Sequence, residues 1–127
     1  MCSSDLPRVT DPRNERGRAG EDAALQRYRT FGYRLIARNW RCALGELDLV
    51  VERDGLLVVC EVKARTTATF GAGFEAVGSH KQRTIRRVTE ALLAAGVVTP
   101  ERGIRFDVAS VRLHPRGAEV RVFEDAF

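Results

Sequence analysis

The chain has 127 residues, of which 44% are hydrophobic and 30% are charged, as expected for one compact domain with its own core. Its formal net charge is +4, which is compatible with a polyanionic partner but does not require one. No apolar run is long enough to span a membrane and the first residues lack the pattern of a secretion signal, so we expect a cytoplasmic protein without membrane contact. Three cysteines without a C-x-x-C pair and only two histidines argue against a disulfide scaffold or a zinc site.

Hydrophobic periodicity divides the chain into helices and strands. Residues 1–13 contain two prolines and no apolar period, so we predict a flexible tail ahead of a domain over 14–127. Ser79 follows a glycine-containing loop and is predicted to cap the second helix. The predicted elements are, in chain order, a helix from Asn14 to Gly32, strands over 33–40, 46–52 and 56–65, a helix from Ser79 to Gly96, and strands over 104–113 and 119–123.

The second and third strands meet at Asp54-Gly55, a dipeptide that predicts a β-hairpin with a type I′ turn. This turn fixes the register and places Val50 opposite Val59. Both faces of the hairpin are apolar at this level, which is typical of a strand pair covered by helices on both sides. The sequence therefore predicts an α/β domain, with a mixed sheet of about five strands, the hairpin at its centre and helices on both faces.

The same register leads past the apolar pairs into four ionisable residues at one strand end. It places Asp48 opposite Glu61 and Glu46 opposite Lys63 on one face, with Leu47 on the other. Opposed carboxylates repel each other, and a hard divalent cation such as Mg²⁺ or Mn²⁺ would compensate that repulsion. Lys63 lies about 6.5 Å along the strand from Glu61, near enough to hold a water molecule or a phosphate oxygen. The alternative is a structural salt-bridge cluster, with Glu46 paired to Lys63 and Asp48 solvated.

The two helices each direct one more charged residue towards the sheet. Glu21 shares the helical stripe of Leu25 and Tyr28, so its carboxylate is predicted to point inward. An acid that only complements the helix dipole is the alternative. Lys81 lies on the inward stripe of the second helix ahead of Ile85, and the alternative is that its ammonium extends to solvent.

Basic residues near this cluster offer contacts to phosphates without a sequence code. Arg65 shares the strand face of Glu61, and three arginines lie away from the apolar stripe of the second helix. The alternative for the helix arginines is an ordinary solvated face. The three arginines are Arg83, Arg86 and Arg87.

An ordered set of short motifs, spread over about residues 17–127, resembles the YraN-like family of bacterial proteins. That family is assigned to the restriction-endonuclease-like superfamily, whose signature is an aspartate followed on the next strand by Glu-x-Lys. The motifs in this sequence are Gly20-Glu21, Arg38-Asn39-Trp40-Arg41, Gly45-Glu46-Leu47-Asp48-Leu49, Glu61-Val62-Lys63-Ala64-Arg65, Phe70-Gly71, Lys81 and Arg105-Phe106-Asp107-Val108.

The resemblance implies a role for each residue of the cluster. Asp48 and Glu61 resemble the metal-binding acids, the carbonyl of Val62 a backbone ligand, and Lys63 the catalytic lysine. Glu21 resembles the helix glutamate of the branch that contains archaeal Holliday-junction resolvases.

The functional hypothesis is a Mg²⁺- or Mn²⁺-dependent endonuclease that hydrolyses DNA, with branched or Holliday-junction-like DNA as one substrate class. A homodimer would supply two sites for the cutting of two strands. The alternative from another class is a non-catalytic nucleic-acid-binding or interaction protein that keeps the nuclease fold.

Overall fold

The structure, a computed structural model, describes residues 12–66 and 77–127. Helix α1 begins at Pro12, where a proline fits the first helical turn, and so it starts two residues before the predicted Asn14. Residues 12 and 13 of the predicted tail over 1–13 are therefore helical, and its residues 1–11 lie outside the described residues. The elements are α1 (Pro12–Thr30), β1 (Arg34–Cys42), β2 (Gly45–Arg53), β3 (Leu56–Arg65), α2 (Ser79–Ala94), β4 (Ile104–His114) and β5 (Gly117–Phe123).

The strands form one mixed sheet in the order β1-β2-β3-β4-β5. Neighbouring strands are antiparallel except β3 and β4, which are parallel and lie on either side of α2 in the chain. This confirms the predicted α/β class and the five-stranded mixed sheet. Neither helix of the described chain combines the length and apolarity needed to cross a bilayer.

The two helices cover opposite faces of the sheet. The α1 face holds a buried cluster of Ala24, Leu25, Tyr28, Tyr33, Leu49, Val51, Val58, Cys60, Ala109 and Val111. The α2 face holds a buried cluster of Leu47, Val50, Leu57, Val59, Val77, Ile85, Val88, Leu92, Phe106 and Val108. Strands β2 and β3 contribute to both clusters, as the doubly apolar hairpin predicted.

The α2 start differs from the predicted cap. Gly78, with an extended backbone, occupies the N-cap position, and no side chain caps the helix. Ser79 is already helical, so the prediction of Ser79 as the capping residue is wrong.

The β2–β3 hairpin has the predicted turn and, over its apolar half, the predicted register. Asp54 has φ 51° and Gly55 has φ 84°, and two positive φ angles are the mark of a type I′ turn. Pairing runs from Arg53 opposite Leu56 to Leu49 opposite Cys60.

Beyond Leu49 the predicted register is wrong, because β2 and β3 separate. Asp48 does not pair with Glu61 in the ladder, and the predicted pair of Glu46 with Lys63 is also missing. The physical reason is that each strand follows its other neighbour: β2 stays with β1 as far as Gly45, and β3 stays with β4 as far as Arg65. Strand separation therefore opens a gap where the ionisable residues lie.

Strand β2 also rotates at this point. Leu47 packs with Val50 on the α2 face, although a regular strand would place it on the opposite face. On the neighbouring strand, Asn39 has φ 52°, a left-handed conformation that interrupts the regular pleat beside Asp48. The prediction for Leu47 is wrong because strict alternation holds only in an unbroken ladder.

Candidate functional site

Asp48 and Glu61 come together at the gap between β2 and β3. Glu61 is only 7% exposed, and its carboxyl lies close enough to Asp48 to raise the pKa of that residue. The Val62 N–H donates to Asp48 Oδ2 at 2.9 Å, so the carboxyl takes the place that a β2 carbonyl would have in a continued ladder. The two acids therefore meet as predicted, although through strand separation and not through cross-strand pairing.

The proximity of the two acids changes the protonation of Asp48. Burial, followed by the negative charge of Glu61, raises the pKa of Asp48 to about 8, against the opposing effect of the Val62 N–H. Near neutral pH the Asp48 carboxyl therefore tends to keep its proton, and the gap carries less negative charge than two ionised carboxylates would give.

The carbonyl of Val62 faces the same gap. In an extended strand the N–H and C=O of one residue point to the same side, and the Val62 N–H points to Asp48. The predicted backbone ligand thus lies on the side of the strand where the two carboxyls meet.

Glu21 reaches the site because α1 approaches β3 closely. A Cβ atom added at Gly20 would lie 2.6 Å from the Ala64 Cβ, so only glycine permits this approach. Glu21 is 7% exposed and points inward, as its position on the apolar stripe predicted. Burial raises its pKa, and its charge in turn contributes to the raised pKa of Asp48.

Two β1 residues hold the Glu21 carboxylate and were not anticipated as site residues. Arg38 Nε donates to Glu21 Oε1 at 3.2 Å, and Asn39 Nδ2 donates to Oε2 at 2.9 Å. Arg38 also binds the Arg18 carbonyl and the Asp22 carboxylate, and so it ties the start of α1 to β1. An asparagine within a predicted strand was the available signal, because asparagine is unfavourable there and tolerates left-handed backbone.

The two lysines have different positions. Lys81 Nζ lies 3.1 Å from Glu61 Oε2, and the negative charge of Glu61 raises the pKa of Lys81. Lys63 is half-buried on β3, and among the described residues no carboxylate lies within 4.0 Å of its ammonium. Glu46 instead binds Arg41 Nε at 2.6 Å, so the alternative in which Glu46 pairs with Lys63 is not the observed arrangement.

The basic residues proposed as phosphate contacts are not equivalent. Arg65 is exposed at the end of β3, and Arg83 and Arg87 are exposed on α2. The Arg86 guanidinium stacks on the Phe106 ring at 4.4 Å, so it contributes to packing of the α2 face.

A second buried polar cluster surrounds Asp107 and was not predicted from the sequence. Asp107 is fully buried and accepts the Tyr28 hydroxyl at 2.7 Å. Arg105 binds both oxygens of Asp107, at 2.9 and 3.0 Å, and its Nη2 also donates to the Tyr33 hydroxyl. An aspartate within the apolar run of β4 was the signal, because a buried carboxylate requires charged and hydrogen-bonding partners.

The donor set fits a hard cation better than a soft one. Within the described residues no three His, Cys, Asp or Glu side chains form a ready-made metal cage. Two carboxyls and a backbone carbonyl match the few protein ligands that Mg²⁺ takes while it keeps several waters.

Comparison with known proteins identifies the family. The model of "Uncharacterised protein family UPF0102" matches residues 20–111, which contain Glu21, Asp48, Glu61 and both lysines. The chain belongs to this family. A UPF0102 protein of Parafrankia sp. (strain EAN1pec) is 44% identical over 106 residues, 84% of this chain and 88% of the relative.

Two further relatives are similar over most of the chain. The UPF0102 protein of Myxococcus xanthus (strain DK1622) is 46% identical over 101 residues, 78% of each chain. That of Moorella thermoacetica is 38% identical over 121 residues, 94% of this chain and the whole of the relative. Membership of UPF0102 confirms the YraN-like resemblance.

Proposed function

We propose that this protein is a Mg²⁺- or Mn²⁺-dependent endonuclease that hydrolyses phosphodiester bonds in DNA. The observation that carries the proposal is the interacting carboxyl pair of Asp48 and Glu61 in a gap between separated strands, followed on β3 by Lys63. The order Asp, then Glu-x-Lys, resembles the signature of the restriction-endonuclease-like superfamily and supports the same chemistry.

Each residue of the gap has a distinct role in this proposal. The carboxyls of Asp48 and Glu61 and the carbonyl of Val62 would hold the cation. When bound, the cation supplies Lewis-acid polarisation of the scissile phosphoryl group. The Lys63 ammonium orients the attacking water and stabilises the charge that develops on the phosphoryl oxygens.

Two residues position these groups. Lys81 binds Glu61 Oε2 and so limits the orientations of that carboxylate. Glu21 is held by Arg38 and Asn39. Its carboxylate lies near enough to raise the pKa of Asp48 and places a negative charge on the α1 side of the gap. Both are positioning residues.

The substrate class follows from charge. The net charge of +4 and the exposed Arg83 and Arg87 favour a polyanion bound through its phosphates. We propose branched DNA because Glu21 resembles the helix glutamate of the junction-resolvase branch, and a homodimer because two strands require two sites.

The experiment that tests this function is cleavage of junction, flap and single-stranded DNA over a range of Mg²⁺ and Mn²⁺ concentrations. We expect Lys63→Ala to abolish cleavage while DNA affinity stays within about twofold, because one lysine is a small part of a multi-phosphate contact. Lys63→Arg should restore little activity, since the planar guanidinium cannot occupy the position of a compact ammonium. Arg29→Ala, an exposed charge deletion on α1, is the matched control and should cut normally.

The metal requirement has its own variant. Asp48→Asn should also abolish cleavage in Mg²⁺, and excess Mn²⁺ should restore part of its activity because Mn²⁺ binds such sites more tightly. The same excess should not restore Lys63→Ala. Wild-type protein that binds these substrates but cuts none with any divalent cation would contradict the enzymatic proposal and favour a non-catalytic binding protein.

A further inference from the structure

A cavity of about 270 Å³ lies at the C-terminal end of α1, away from the proposed cleavage site. Glu21 lies on α1 and Phe31 directly follows its last residue, Thr30, so the two are about ten residues apart, or about 15 Å at the helical rise per residue. We call this cavity the aromatic–arginine pocket. Its walls are formed by Arg27, Phe31, Tyr33, Arg53, Val122 and Glu124.

The pocket presents an aromatic surface to solvent. Phe31 is 55% exposed, so part of its ring faces solvent. The end of α1 holds it there: the Phe31 N–H donates to the Tyr28 carbonyl, and Gly32 then turns the chain with φ 88°. A planar ligand could therefore stack on a ring whose backbone is fixed.

Two guanidinium groups flank this surface. Arg27 lies 5.2 Å from the Phe31 ring centroid, and Arg53 lies 4.5 Å from that of Tyr33. Each donates one described hydrogen bond to a backbone carbonyl, of Val120 and Phe31 respectively, although a guanidinium has five N–H donors. In residues 12–66 and 77–127, no carboxylate lies within 4.0 Å of either group.

The one acid in the pocket wall is directed elsewhere. Glu124 lies 3.6 Å from Arg105, which in turn binds the buried Asp107. Tyr28 also lines the pocket, and its hydroxyl donates to the same aspartate. This side of the pocket is therefore fixed by a charged hydrogen-bond network. Positive charge from Arg27 and Arg53 therefore dominates the open part of the pocket.

These features select the chemistry of a ligand. Two guanidiniums disfavour a cation, a purely apolar ligand would make no use of their remaining N–H donors, and a bare inorganic anion would make no use of Phe31. Arginine forks match phosphate oxygens, and an exposed aromatic ring stacks on nucleobases of any sequence.

We propose that the aromatic–arginine pocket binds a nucleoside phosphate, with the phosphate at Arg27 and Arg53 and the base on Phe31. The choice of a nucleoside phosphate among aromatic anions rests on the proposed function. Such a group is available from a free mononucleotide or from the phosphorylated end of a DNA strand.

Calorimetric titration of the metal-free protein in EDTA tests this site. We expect 5′-AMP to bind at least about tenfold more tightly than adenosine or inorganic phosphate, because each of these lacks one half of the recognition. Arg27→Gln and Phe31→Leu should each weaken 5′-AMP binding by about tenfold. Arg29→Gln removes the same charge from the same helix outside the pocket and should leave 5′-AMP affinity unchanged.

Equal affinity for adenosine and 5′-AMP, or full 5′-AMP affinity in Arg27→Gln and Phe31→Leu, would overturn the proposal. Loss of 5′-AMP binding in Lys63→Ala would also overturn it, since the nucleotide would then occupy the cleavage site. Far-UV circular dichroism checks that each variant is folded.

A second titration identifies the source of the ligand. If a short oligonucleotide with a 5′-phosphate displaces bound 5′-AMP and its 5′-hydroxyl form does not, the ligand is a strand end. If neither oligonucleotide displaces 5′-AMP, the ligand is a free nucleotide. The two proposals can fail independently. DNA cleavage without 5′-AMP binding refutes only the proposal for the aromatic–arginine pocket. Binding of 5′-AMP without DNA cleavage refutes only the proposed nuclease activity.

Discussion

Asp48 combines a stability cost with its proposed function. Its carboxyl is placed beside Glu61 in a poorly solvated gap, and this environment raises its pKa from 3.8 to about 8. The folded protein therefore retains a proton that the unfolded chain loses at lower pH. It follows that the free energy of unfolding falls as the pH rises between these two pKa values.

Asp48→Asn should remove this pH dependence, because an amide is isosteric with the protonated carboxyl. In metal-free protein we expect the free energy of unfolding of the variant to match that of the wild type within about 0.5 kcal/mol at about pH 5 and to exceed it by up to about 4 kcal/mol at about pH 9. Thermal unfolding at both pH values measures the difference. A constant difference across this range would contradict the raised pKa of Asp48.

At the scale of elements, the approach of α1 to β3 places Glu21 at the site. Gly20 is buried against Ala64, and the residue that follows it carries the carboxylate bound by Arg38 and Asn39. A methyl group between helix and strand would push α1 outward, since backbone-linked carbon atoms cannot rotate away. The glycine is therefore a requirement of packing and, through Glu21, of the site.

Gly20→Ala should lower the free energy of unfolding by about 1–3 kcal/mol, and it should reduce DNA cleavage by displacing Glu21. Gly17→Ala, on the same helix, is the matched control because an added Cβ there meets nothing within 4 Å. That control should gain about 0.5–1 kcal/mol from helix propensity. Urea unfolding compares the two variants, and equal effects would show that Gly20 has no special packing role.

At the scale of the whole molecule, the β2–β3 hairpin joins two cores. Neighbouring residues Leu49 and Val50 pack on the α1 face and the α2 face respectively. Loss of packing on one face should therefore also destabilise the other face, and the chain should unfold in one cooperative transition.

Leu49→Ala tests this coupling from the α1 face. It should cost about 2–5 kcal/mol through a buried cavity, and Leu44→Ala, 53% exposed in a turn, should cost less than about 0.5 kcal/mol. Trp40 is the only tryptophan and packs on the α2 face, so its fluorescence reports on the opposite layer. Midpoints that differ between this fluorescence and far-UV circular dichroism would contradict a single transition.

Local pattern was sufficient to predict the strands, the hairpin turn and the layered fold. Alternating and continuous apolar runs define which faces are buried, and Asp54-Gly55 determines the turn because few residues adopt positive φ at both central positions. Inward placement of Glu21 also followed from helical periodicity, which depends on a short sequence separation. The approach of Asp48 to Glu61 was predicted from the hairpin register, but it arises from strand separation.

The tertiary structure alone decided where the hairpin register stops. A strand ladder ends where other contacts of the two strands are more favourable than their pairing. Here β2 continues to pair with β1 and β3 with β4, and the Val62 N–H binds the Asp48 side chain. The partners Arg38 for Glu21 and Arg105 for Asp107 likewise depend on how twisted strands and helices meet. Sequence by itself determined the apolar faces of most elements and the β2–β3 hairpin, because those follow from local chemistry. The parallel pairing of β3 with β4, the burial of Asp107 and the partners of each charge depended on contacts between elements, which only the folded chain provides.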